Sequence, residues 1–269
     1  MRCGRIAILC SLLAGTATYA EHADTSREPL RSQRKLELGT YEGVTWPIVN
    51  APIDGPLPPA PKTTEAVPEA PQRAGQRVLE IVDEIQDTLR ESSYQAHTVV
   101  RPKDGVYDWD CSGMAAWILR RAAPTALRQL KSSRPVARDF VNAIEHAPTK
   151  GARNGWQRIA RIDDVMPGDV FAWRRPRGLP SKNTGHVGFV VDRPLRVPEI
   201  PNAWAVRIAD STRGSHQDDA RASDDDGGFG IGTLLFLADD KGNVTQYGWS
   251  GTVSEWYIVT PIVFGRVHR

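Results

Sequence analysis

The chain is poor in cysteine, with three among 269 residues: Cys3, Cys10 and Cys111. The first two fall in an N-terminal apolar stretch that reads as a removable leader. One thiol is then expected to remain, which rules out an intramolecular disulfide framework. An excess of one charge is also missing. Lys and Arg number 34 against 32 Asp and Glu, a net charge of +2. There is no long basic block, so nucleic acid is not an expected partner. Beyond the leader no apolar run is long enough to span a bilayer. Cysteines and histidines are not grouped as zinc ligands, so neither metal nor cofactor is expected. Gly227 to Gly232 lacks the strand–loop–helix setting of a phosphate loop. The acidic run Asp218, Asp219, Asp224, Asp225 and Asp226 places Thr233 where an EF-hand needs its bidentate glutamate. It reads as a solvated acidic loop. No internal repeat is found.

What is present falls into three stretches. Residues 1–20 combine Arg2 and Arg5, the apolar run Ile6 to Thr18, and a small residue, Ala20, at a suitable cleavage point. This pattern predicts export to the periplasm or the medium, with no membrane span in the mature chain. Residues 21–72 are punctuated by Pro47, Pro52, Pro56, Pro58, Pro59, Pro61, Pro68 and Pro71 and read as an extended tether. A short apolar patch, Tyr41 to Val49, is expected to dock on the domain. Residues 73–269 carry the periodic patterns of a folded domain, expected to be monomeric.

Within that domain, Val78, Ile81, Val82, Ile85 and Leu89 recur at helical spacing. A second helix is expected from Asp110 or Cys111 to about Ala123, stopped by Pro124, and a third from Pro135 to Glu145. Strand patterns follow at Val170–Trp173, Gly185–Val191, Ala205–Asp210, Thr233–Ala238, Val244–Trp249 and Trp256–Phe264. Helices first and strands second predict an α+β fold with helices packed on an antiparallel sheet.

Cys111 opens its helix in the run Tyr107-Asp-Trp-Asp-Cys-Ser-Gly113. A thiol acts as a nucleophile only as thiolate, and a helix N-terminus and a nearby imidazolium both favour that form. Asp110 is a candidate N-cap. The unpaired N–H groups of the first turn are candidates for holding an oxyanion, with Asp110 and Ser112 on either side of the thiol. Among six histidines, only His186 lies within a strand pattern, with Gly185 and Gly188 expected to clear space around its ring. Asp210 shares a strand face with Val206 and Ile208, from which it can orient the imidazole. Asp192 and His216 are its competitors. A buried structural role for each of these residues stays open at this point.

Asp110-Cys-Ser-Gly113, Pro167-Gly168-Asp169-Val170 and Gly185-His-Val-Gly-Phe-Val190, in this order, resemble the three signature blocks of the NlpC-type cell-wall peptidases. These are papain-like cysteine hydrolases related to the CHAP amidases. The resemblance covers roughly residues 75–215. It implies a papain-like domain, a nucleophile at Cys111, a base at His186 and an orienting group at Asp210, a position more commonly held by His in that family. It also implies an upstream tyrosine at the site, Tyr94 or Tyr107, and a peptide of peptidoglycan, or another amide, as substrate. The rival expectations are a wall-binding module of the same fold without activity, and an amidase or acyltransferase acting elsewhere.

Overall fold

A computed structural model of the chain describes residues 36–41, 44–50, 73–178, 183–221 and 227–269. The expected leader therefore lies outside the described residues. So does most of the expected tether. The described strands and helices, in chain order, are β1 (Leu36–Tyr41), β2 (Val44–Asn50), α1 (Arg73–Thr88), β3 (Val99–Arg101), β4 (Val106–Asp108), α2 (Cys111–Ala122), α3 (Pro124–Gln129) and α4 (Ala137–Glu145). There follow β5 (Trp156–Ile159), β6 (Val170–Arg174), β7 (Gly185–Val190), β8 (Leu195–Arg196), β9 (Ala203–Thr212), β10 (Gly228–Ala238), β11 (Val244–Gly248), β12 (Trp256–Val259) and β13 (Ile262–Val267).

Eleven strands form one antiparallel sheet in the order β1-β2-β12-β11-β10-β9-β7-β6-β13-β5, with β8 pairing β9 off this path. The fold is thus mixed α/β, with a large antiparallel sheet and few helices. Strand alternation divides the core. Val187 and Phe189 of β7 join α1, α2 and α4 through Val78, Ile81, Met114, Ile118, Phe140 and Ile144. Val190, Val206, Ile208, Phe171, Trp173 and Phe236 form the second cluster. Each fully buried aliphatic or aromatic side chain contributes about 2 kcal/mol of transfer free energy.

The helical spacing of α1 puts Val78, Ile81, Val82 and Ile85 at 0–1% exposure. Pro124 does stop α2, but it also starts α3, because a proline at the first helical position gives up only an N–H that would be unpaired there. The single terminal strand expected from Trp256 to Phe264 is two strands, β12 and β13. Pro261 separates them, since it has no N–H for a ladder. β5 and the β3–β4 hairpin had no periodic signal long enough to predict them.

The stretch expected as an extended tether contains a hairpin. β1 pairs β2, and β2 pairs β12 at Asn50↔Trp256, Val49↔Tyr257 and Ile48↔Ile258. The hairpin thus belongs to the same sheet as the strands that follow residue 73. Among the described residues no helix is long and apolar enough to cross a membrane.

Two close approaches position the segments that surround the site. Gly168, at φ +87°, lies in the Pro-Gly-Asp turn ahead of β6. A Cβ there would sit 2.6 Å from the Gly75 Cα of α1. Asp169 is buried and holds that turn by accepting the Met166 N–H (2.9 Å) and pairing with Arg266 of β13 at 2.8–2.9 Å.

Candidate active site

Cys111 is the first residue of α2 and only 4% exposed. The Asp110 carboxylate caps the helix by accepting the Gly113 N–H at 2.7 Å, a bond of the kind that contributes about 1 kcal/mol. Burial raises the Asp110 carboxyl above its usual value, against the hydrogen bonds from the first turn and the nearby Arg134. Ser112 Oγ stands 3.8 Å from the sulfur. Gly113 permits a close approach: a Cβ would fall 2.4 Å from Thr98 Oγ1. The chain ahead of the helix is tied to the sheet, because Ser211 of β9 donates to the Trp109 carbonyl at 3.1 Å.

His186 is the second residue of β7, beside Trp173 of β6. Its Nε2 donates to Asp210 Oδ2 at 2.6 Å, and the ring interacts with the Cys111 thiol. With Nε2 engaged, Nδ1 is the nitrogen left for the sulfur. Burial alone would push this imidazole down. The hydrogen bonds to Asp210 and Cys111, and their charges, outweigh it and raise the ring to about 10. The indoles of Trp173 and Trp249 flank the ring, at 4.9 and 5.8 Å between centroids. Gly185 and Gly188 do not clear space for the imidazole, as was expected of them. A Cβ at Gly185 would meet the Trp173 carbonyl at 1.9 Å, and one at Gly188 the Ala209 carbonyl and the Phe171 ring at 2.7 Å. Their role is close strand contact.

Asp210 lies on β9, next to β7, and is fully buried. Sequence placed it in competition with Asp192 and His216 for the imidazole. The structure gives the His186 contact to Asp210, and puts His216 against the same carboxylate oxygen, with Nε2 2.8 Å from Oδ2. Arg221 Nη2 donates to Oδ1 at 2.5 Å. Burial would raise the Asp210 carboxyl. The charge of His216 and the bonds from both histidines hold it well below the ordinary carboxylate range.

The two tyrosines part company. Tyr94 pairs with the chain before the helix, in a bridge to Trp109, and its hydroxyl interacts with the thiol. Burial raises that hydroxyl first, and the charges of Cys111 and Asp110 add to it. Tyr107 is not at the thiol. It points into the helical core against Trp109 and Trp117, with its hydroxyl 2.8 Å from Thr88 Oγ1.

The acidic run is not simply solvated. Asp219 is 3% exposed and pairs with Arg221, whereas residues 222–226 lie outside the described residues. Arg221 and Asp219 are site residues that the sequence did not flag. Among the described residues no group of three or more His, Cys, Asp or Glu side chains is arranged to hold a metal ion. The Asp210 oxygens already accept from His186, His216 and Arg221.

A thiol, an imidazole and a carboxylate that accepts from the imidazole are thus assembled at the N-terminus of α2. Among curated proteins the chain is similar to "Uncharacterized protein R653" of Acanthamoeba polyphaga mimivirus, with 31% identity over 180 residues, covering 59% of this chain and 77% of that protein. No family model matches the chain, and no solved structure matches it. With that identity over more than two thirds of the relative, the chain belongs to the same family as the mimivirus protein R653.

Proposed function

We propose that this protein is an exported cysteine hydrolase of the papain-like, NlpC type that cleaves amide bonds in peptidoglycan peptides. One observation carries the reading: His186 gives Nε2 to the buried Asp210 at 2.6 Å and interacts with the thiol that opens α2. The three signature blocks support the family and the substrate class.

In this reading the Cys111 Sγ attacks the amide carbonyl carbon after its proton has passed to His186 Nδ1. The carbonyl oxygen becomes an oxyanion facing the Cys111 backbone N–H at the start of α2. Nδ1 then protonates the leaving nitrogen as the C–N bond breaks, which leaves a thioester on Cys111. Water attacks the thioester while Nδ1 takes its proton. The C–S bond breaks, the acid product leaves, and the proton returns to sulfur. Asp210 keeps the ring in the reactive tautomer throughout.

The test is mass spectrometry of purified peptidoglycan fragments after incubation with the full chain. Amide-cleaved products that vanish with Cys111→Ala support the reading. Digestion that persists in Cys111→Ala contradicts the nucleophile, and fragments untouched by the intact protein contradict the substrate class.

A further inference from the structure

Beyond the three residues of the reacting set lies a second shell of charge in an unusual place. The described part of the connector after β9, Arg213 to Arg221, turns back along β10. The Ala220 N–H donates to the Ile231 carbonyl (2.9 Å), and the Thr233 N–H to the Gln217 carbonyl (2.8 Å). This brings the side chains of His216 and Arg221, 0% and 2% exposed, against Asp210 at 0%. Both ring nitrogens of His216 face oxygens: Asp210 Oδ2 at 2.8 Å and the Trp249 carbonyl at 3.1 Å. Arg221 donates to both ends of its surroundings, to Asp210 Oδ1 (2.5 Å) and to the Gly228 carbonyl (3.1 Å), and pairs with Asp219. Asp219 in turn accepts the backbone N–H of His216 (2.8 Å) and of Arg221 (2.9 Å).

The strand beneath is cut to fit this arrangement. A Cβ on Gly230 would sit 2.5 Å from the Arg221 Cζ and 2.6 Å from Asp219 Oδ1. One on Gly232 would sit 2.6 Å from Asp219 Oδ2 and 2.8 Å from the His216 Cβ. The glycine run with no phosphate-loop setting is therefore the bed on which the connector lies. Burying this many charges is costly unless they pair with one another, as they do here.

We propose that His216 and Arg221 are positioning residues, a clamp that holds the Asp210 carboxylate ionised and aimed at His186 and so sets the pH range in which Cys111 is a nucleophile. The inference rests on the reading of Cys111 and His186 as the reacting pair. Other groups facing that pair are Tyr94, Asp110 and Arg134 on the Cys111 side, with Arg213 over the Tyr94 ring at 5.3 Å. Losing a cation from the clamp favours the protonated form of every acid near it. Thiolate formation then needs a higher pH.

Alkylation of Cys111 by iodoacetamide in the full chain, followed against pH on its own peptide by mass spectrometry, tests the clamp without any substrate. His216→Ala is expected to move the acid-side midpoint of the rate up by about one pH unit. That is roughly a tenfold loss of rate at pH 6, with the rate at pH 9 retained. His216→Gln, which keeps a donor but not the charge, is expected to move it in the same direction. A merely structural loss would lower the rate at every pH. Gly230→Ala displaces Arg221 and Asp219 without removing a buried polar group, and it decides the matter if His216→Ala fails to fold. Its midpoint is expected to rise too. A midpoint left in place in these folded variants, with Cys111 fast in the intact protein, overturns the clamp alone. Ordinary thiol reactivity in the intact protein overturns the proposed function instead.

Discussion

Asp210 accepts from three side chains on two oxygens and has no exposure at all. Replacing it with Asn removes the charge that pairs with His216 and Arg221 and leaves two buried cations short of a partner. Asp210→Asn is therefore expected to cost about 3–5 kcal/mol of stability, read as a shifted urea midpoint. The same change is expected to lower turnover by about 10³- to 10⁴-fold, because the imidazole loses its fixed tautomer. Cys111 and His186 were legible in the sequence, one as a lone thiol at a helix start and the other as a histidine in a strand. Asp210 was legible as a polar residue on the following strand. Tyr94 and Tyr107 were indistinguishable there, since both stand upstream of the same helix. Only the β3–β4 hairpin, which turns Tyr107 into the core, separates them.

At the scale of elements, the site depends on two segments that touch through glycine. Gly168 in the Pro-Gly-Asp turn adopts φ +87° and abuts Gly75 of α1. A methyl group at position 168 meets both a strained backbone and the opposing chain. Gly168→Ala is expected to destabilise by about 1–3 kcal/mol. For a domain of this size that is a drop in Tm of roughly 2–12 °C, measured by circular dichroism. Helical spacing made α1, α2 and α4 readable, and alternation did the same for β6, β7, β9 and β11. The connector after β9 has no period, so nothing in it announced that His216, Asp219 and Arg221 return to one carboxylate. The signal that existed was on the neighbouring strand. Gly228, Gly230 and Gly232 recur at every second position, the mark of a strand face approached closely by another segment. The hairpin β1–β2 was hidden by Pro47, which argued for an extended tether. It lies in a two-stranded ladder at the sheet's end, where a proline is tolerated.

At the scale of the whole molecule, the buried charges make stability depend on pH from both sides. The folded-state value of Asp210 is depressed, so its contribution is present above the ordinary carboxylate range and fades as the pH falls through the folded value. Asp169, raised by burial despite Arg266, acts in the opposite sense. His186 is raised from 6.5 to about 10, so its contribution is full below pH 6.5 and is lost as the pH climbs toward 10. Urea midpoints are therefore expected to fall between pH 6.5 and 10 in the intact protein. That fall is expected to be clearly smaller in His186→Gln.

The account turns on His186 making Cys111 a nucleophile, and the most direct measurement is the rate at which iodoacetamide labels Cys111 at pH 6 in the intact chain and in His186→Ala. The predicted result is labelling faster than that of free glutathione, falling about 100-fold in the variant. Equal rates in the two proteins would contradict it.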